Sequence, residues 1–194
     1  MTLRQRILKV LYPVLLSVTK LFRKNTVVLR NEYGAMPPAS FYELSIPLSN
    51  GGSQSMAQHK GKKVLLVNTA SNCGYTAQYG ELQRLQENHP DLKIIAFPSN
   101  DFKEQEKGTD AEIAAFCSEY NVEFALASKS SVLKKPQQSP VYQWLTDKEK
   151  NGWNTKQPSW NFSKYLVNED GILTHYFDPS ISPLSAEVEK AIGQ

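Results

Sequence analysis

The chain has 194 residues, which suits one domain with an appendage better than two full domains. Hydrophobic residues make up 40% and charged residues 21%, which excludes a wholly disordered chain. Lys plus Arg number 22 against 19 for Asp plus Glu, and a net charge of +3 is too mild for a dedicated nucleic-acid binder.

Much of that excess lies in residues 1–24, where Arg4, Arg6, Lys9, Lys20, Arg23 and Lys24 face no acidic residue. Within residues 3–22, Leu3, Ile7, Val10, Leu11, Val14, Val18, Leu21 and Phe22 recur at helical spacing. The apolar stretch 10–19 falls short of the roughly 20 residues a bilayer span requires. A basic start and an apolar run also resemble a signal peptide. No small-x-small cleavage site follows, however, and Lys20 with Arg23 and Lys24 closes the run. The segment reads best as an interfacial helix on an anionic membrane, kinked at Pro13. An uncleaved anchor or signal, or a helix packed on its own domain or a partner, are the alternatives. Residues 25–39, with Gly34, Pro37 and Pro38, read as a linker or an irregular arm, and 40–194 as the compact domain.

Residues 40–47 and 53–58 flank Asn50, Gly51 and Gly52, so a β-hairpin opens the domain. The apolar run 64–67 predicts a strand buried on both faces. A polar corner at 68–74 leads to a helix starting near Thr76, with Tyr79, Leu82 and Leu85 at helical spacing and Pro90 ending it. Residues 94–97 form a second buried strand, stopped by Pro98. Thr109 and Glu112 make a capping box for a helix whose apolar face carries Ile113, Phe116, Cys117 and Tyr120. Residues 165–167 and 172–177, separated by Asn168, Glu169, Asp170 and Gly171, predict an antiparallel hairpin, and 184–192 a closing amphipathic helix. The class is α/β with a central mixed sheet flanked by helices, and a thioredoxin-like sandwich is its simplest form.

Only two cysteines occur, Cys73 and Cys117, and the histidines are His59, His89 and His175. That excludes a disulfide scaffold and a four-cysteine zinc site, and no cofactor is expected. Cys73 sits where a buried strand hands over to a helix, a place that favours the nucleophilic thiolate. A small core residue is the equal alternative on position alone. No C-x-x-C is present, so a thioredoxin-type dithiol is excluded.

Residues 67–76, from Val67 through Cys73 to Thr76, with Gln78 and Tyr79, resemble the active-site segment of the glutathione peroxidase family. Three further blocks follow in the family's order: 97–102 with Gln105 and Glu106, then 112–117, then 160–167. The resemblance runs from about Phe41 to the C-terminus. It implies a thioredoxin-like fold and reduction of hydrogen peroxide or organic and lipid hydroperoxides by Cys73, assisted by Gln105, Trp160 and Asn161. Those three are neutral donors able to hold negative charge without a competing ion pair. It also implies that Cys117 resolves the Cys73 sulfenic acid as a disulfide, with thioredoxin as reductant; without that thiol, glutathione would serve. The position of Cys117 on an apolar helix face equally suits an inert core residue. A peroxide sensor relaying its disulfide to a partner protein would use the same residues.

The chain departs from the family at several points. Ser99 replaces a frequent cysteine, Asp101 and Lys103–Glu104 alter the loop before Gln105, and Ala125 follows Phe124 where proline is frequent. Residues 129–133 replace a Val-x-Gly. The segment between Leu145 and Trp160 is short and resembles the family branch without a tetramer-forming loop, which implies a monomer or a loose dimer. A redox-active thiol without a cleaved signal points to the cytoplasm, membrane-associated through residues 3–22, with a periplasmic placement as the alternative.

Overall fold

The computed structural model describes residues 2, 3, 6, 7, 10–12 and 27–194. An apolar run with no polar face can only sit mid-sheet, covered on both sides, and β4 (Val64–Thr69) does so with every residue buried. It lies between β5 (Lys93–Pro98), parallel to it, and β7 (Lys164–Val167), antiparallel to it. Beyond β5 comes the two-residue β6 (Ala125–Leu126), also parallel. Beyond β7 come β8 (Leu173–Phe177) and β1 (Val28–Arg30), each antiparallel to its neighbour. The six-stranded order is β1-β8-β7-β4-β5-β6, and β2 (Ser45–Pro47) with β3 (Ser53–Ser55) form the expected hairpin apart from it.

The strand alternation sorts side chains into two cores. Leu65, Val67, Ile94 and Ala96 face α1 (Gln78–Asn88), α2 (Asp110–Ser118) and α5 (Ala186–Ile192), packing with Tyr79, Leu82, Phe116 and Val188. Val64, Leu66, Ile95 and Phe97 face the other side, with Phe41, Ile46 and Met56 and with Val141, Tyr142 and Trp144 of α3 (Pro140–Leu145). The capping box at Thr109 forms as predicted, Glu112 Oε2 accepting from Thr109 N at 2.8 Å. Helix α4 (Lys148–Asn151), β6 and α3 carry too short a pattern to be read from sequence.

Of the segment read as a linker or an irregular arm, residues 27–39 are tied onto the domain. β1 lies within them, Val28 opposite Phe177 and Arg30 opposite His175, and Asp178 Oδ2 accepts from Val27 N at 3.1 Å. The arm then runs against the end of α4, where Gly152 has φ +95° and a Cβ would stand 2.5 Å from the Met36 carbonyl oxygen. The sheet therefore begins before Ser40. Of the N-terminal segment, residues 3, 6, 7 and 10–12 are helical. Leu3, Ile7, Val10 and Leu11 are exposed, whereas Tyr12 is buried and donates to Glu81 Oε2 at 3.1 Å. Pro13, Lys20, Arg23 and Lys24 lie outside the described residues, and among those described no helix is long and apolar enough to cross a membrane.

Two departures from the family pattern prove to be partners. Asp101 Oδ2 accepts from Val132 N at 2.7 Å, Leu133 N at 3.1 Å and Ser131 Oγ at 3.0 Å, and Lys135 Nζ reaches Oδ1 at 2.5 Å. Burial opposes ionisation of Asp101, but the bonds from Lys135, Val132, Leu133 and Ser131 outweigh it and hold the carboxyl below its ordinary value. Its stabilisation is thus present above the unfolded-state pKa and is lost as pH falls through the folded-state one. Asp101→Asn is expected to cost about 1–3 kcal/mol in denaturant unfolding at pH 7. The gap from the parent should narrow below about pH 4, and a gap unchanged by acid would contradict this account.

Candidate active site

Parallel pairing of β5 and antiparallel pairing of β7 against β4 bring three loops to one end of the sheet: the turn after β4, the loop after β5 and the loop before β7. Cys73 lies on the first, Gln105 on the second, and Trp160 and Asn161 on the third. Asn68, the fifth residue of β4, staples first to third. Its Nδ2 donates to Trp160 O at 3.0 Å, its Oδ1 accepts from Ser163 N at 3.1 Å, and its carbonyl accepts from Phe162 N at 2.6 Å. Lys164 is fully buried and donates to Phe162 O at 2.8 Å and Ile181 O at 2.6 Å, tying the same loop to the chain before α5.

The sequence places Cys73 at a helix N-terminus, but α1 begins only at Gln78, after a run of turns. Cys73 closes the first of them, its N donating to Thr76 Oγ1 at 3.0 Å and its carbonyl accepting from Thr76 N at 3.2 Å. Nor is the sulfur left open by its small polar neighbours: Cys73 is fully buried. Burial pushes its thiol above the ordinary value. Hydrogen bonds from the Tyr75 backbone, the Asn161 amide, the Trp160 indole and the Gly74 backbone pull the other way without cancelling it. What favours the thiolate here is a set of converging donors rather than a helix terminus, and burial outweighs them.

Gln105 reaches the site through Asn161, whose Nδ2 donates to Gln105 Oε1 at 2.9 Å, while Asn161 Oδ1 is buried with no hydrogen-bond partner. The loop that delivers Gln105 runs through Lys103 (φ 49°) and Glu104 (φ 51°), both left-handed and neither glycine. Phe162, with φ 70°, repeats that strain beside Asn161. The Trp160 ring is held by Phe102 at 5.4 Å between centroids and by Lys103 Nζ at 5.7 Å.

Cys117 sits in the last turns of α2 and is buried in the same core as Cys73; both thiols are free. Burial pushes the Cys117 thiol up to about 12, Tyr79 lowers it and Glu106 raises it. Tyr79 packs edge-on against Phe116 and Phe162, its hydroxyl facing Cys117 and Thr69 without a well-formed hydrogen bond. Sequence reasoning did not single out Asn68, Ser71, Glu106 or Lys164 as parts of the site. Asn68 and Lys164 carry a signal, a polar residue abutting an apolar run. Ser71 and Glu106 fall within the motif blocks, but nothing local says that they meet, because their contact is across the fold. Among the described residues no group of three or more His, Cys, Asp or Glu is placed to hold a metal.

The profile of the family described as "Glutathione peroxidase" matches residues 41–146. A glutathione peroxidase of Lactococcus lactis subsp. cremoris is 40% identical over 153 residues, covering 77% of this chain and 96% of that protein. A glutathione peroxidase-like peroxiredoxin of Saccharomyces cerevisiae is 38% identical over 153 residues, covering 77% of this chain and 94% of that one. The crystal structure of Trgpx in apo form superposes with a TM-score of 0.61 at 31% identity, covering 80% of this chain and 97% of its own. The fold is thioredoxin-like, as the arrangement of strands and helices led one to expect, and the chain belongs to the glutathione peroxidase family of thiol peroxidases.

Proposed function

We propose that this thiol peroxidase works through Cys73. The burial of Cys73 with the Tyr75 N–H directed at its sulfur at 3.5 Å, and with the Asn161 amide and Trp160 indole favouring its charged form, carries the reading. The Cys73 thiol gives up its proton and the thiolate attacks the hydroperoxide. An S–O bond forms, the O–O bond breaks, and the departing oxygen takes up that proton to leave as alcohol or water. The neutral donors stabilise the negative charge as it moves from sulfur to oxygen, and Gln105 holds Asn161 in place for that step. The resulting sulfenic acid condenses with the Cys117 thiol, forming S–S and releasing water. Thioredoxin then reduces the disulfide to two thiols. Cys117 reaches Cys73 only by opening the end of α2. There the Cys117 carbonyl accepts from Tyr120 N at 2.9 Å and Val122 N at 3.3 Å, whereas the capping box holds the other end.

Burial of Cys117 and its pKa near 12 support a second reading, a one-cysteine cycle in which glutathione attacks the sulfenic acid. The hydroperoxides are hydrogen peroxide and organic or lipid hydroperoxides. The enzyme acts as a monomer in the cytoplasm, its short 145–160 segment folded back by Asn151 Nδ2 on Trp144 O at 2.7 Å and Asn154 Nδ2 on Leu145 O at 2.6 Å. Its N-terminal helix lies on an anionic membrane. Tyr12 faces the protein while Leu3 and Val10 are 76% and 75% exposed, beside basic residues that face no acid in that segment.

Two outcomes are expected. Denatured intact mass after one equivalent of hydrogen peroxide should show loss of two hydrogens, abolished in Cys73→Ser and in Cys117→Ser. Oxygen gained at Cys73 with Cys117 untouched would move the cycle to the glutathione reading, and no mass change would end the Cys73 assignment. In sedimentation, the protein should follow phosphatidylserine vesicles and not phosphatidylcholine ones. A Leu3→Glu/Val10→Glu variant should stay in solution with its turnover of hydrogen peroxide intact. Equal sedimentation of parent and variant would remove the membrane role.

A further inference from the structure

Glu106 is a buried acid that the peroxidase chemistry above does not use. Its carboxylate makes no ion pair among the described residues, and it points at the turn carrying Cys73. Oε2 accepts from Ser71 N at 2.8 Å and from Ser71 Oγ at 2.9 Å, two residues before the sulfur. Beside this contact the Asn72 N–H donates to Gln105 O at 3.1 Å, so the turn and the loop are joined at successive residues on each side. Glu106 is itself fixed from behind, its N–H donating to Asn100 Oδ1 at 2.9 Å.

We propose that Glu106 is a positioning residue, whose carboxylate clamps the Ser71–Asn72 turn to the Gln105 loop and so holds the Cys73 sulfur against Asn161 and Trp160. The inference rests on Cys73 being the reactive thiol. Two hydrogen bonds to one charged oxygen are the strong kind, and they weaken when that oxygen is protonated. Burial pushes Glu106 up to about 7; the two Ser71 bonds and Lys129 draw it down. The other ionisable groups that feel its charge are Tyr79 on α1 and Cys117 on α2, each raised by it. The clamp is thus tight above neutrality and slack below it, a pH response separate from ionisation of the Cys73 thiol.

The test is the second-order rate of Cys73 oxidation by hydrogen peroxide from pH 5.5 to 9, alongside alkylation of Cys73 by iodoacetamide. It is run in the Cys117→Ser background so that a single thiol reports. The parent rate should rise through an inflection near pH 7 as well as through thiol ionisation. Glu106→Gln keeps an acceptor for Ser71 but cannot ionise, and should lose that inflection alone. Glu106→Ala should lower oxidation about 10- to 100-fold at every pH, with Glu106→Asp recovering part of the loss and retaining an inflection. Glu106→Gln with the parent's profile would overturn the clamp. A parent Cys73 that is alkylated but never oxidised would overturn the peroxidatic assignment instead, leaving the two failures distinguishable.

Discussion

The central position of β4, with a parallel neighbour on one side and an antiparallel neighbour on the other, is the constraint from which the site follows. A parallel β5 must end where β4 ends, and an antiparallel β7 must begin there. Three loops distant in sequence are thereby forced onto one end of the sheet. Asn68 converts that neighbourhood into a fixed distance, since its side chain and carbonyl spend their hydrogen-bonding capacity on residues 160–163. Without that staple the Trp160–Asn161 loop would lose its direct tie to β4, leaving Lys164 and Gln105 to hold it, and a site needs closer positioning than that.

Burial and hydrogen bonding oppose each other at the sulfur. Removing Cys73 from water disfavours the thiolate, while four donors favour it, and burial has the larger effect in the resting protein. Neutral donors around a buried sulfur suit the proposed chemistry, because they can stabilise negative charge as it passes from sulfur to oxygen. Backbone strain accompanies this arrangement. Lys103, Glu104 and Phe162 hold left-handed conformations next to Gln105 and Asn161.

The departures from the family pattern show how local changes are absorbed. Asp101 and the 131–135 segment look like unrelated substitutions along the chain. In space the carboxylate gathers the backbone N–H groups of Val132 and Leu133, the Ser131 hydroxyl and Lys135. Ala125, where a proline is frequent, opens β6 opposite Ile95. Asp101 thereby braces the loop that leads to Gln105 against the 131–135 segment.

The strands at 64–67 and 94–97, the helices after Thr76 and Thr109, the closing hairpin and Cys73 itself were legible in sequence. Each is written in contiguous residues, as an apolar run, a helical period, a capping box or a motif. β1, β6, α3 and α4 were not, because strands and helices this short owe their existence to the neighbour they pair with. Residues 27–30 become a strand only because β8 offers an open edge and Asp178 fixes Val27. The sequence by itself determined the candidates for the chemistry: one thiol on a polar corner and, through the family resemblance, three neutral donors. Tertiary structure alone decided the environment of that thiol, buried and reached by donors rather than set on a helix end, and the contact of Glu106 with Ser71. Desolvation and hydrogen bonding depend on what surrounds a residue in space, and no local pattern in a chain records that.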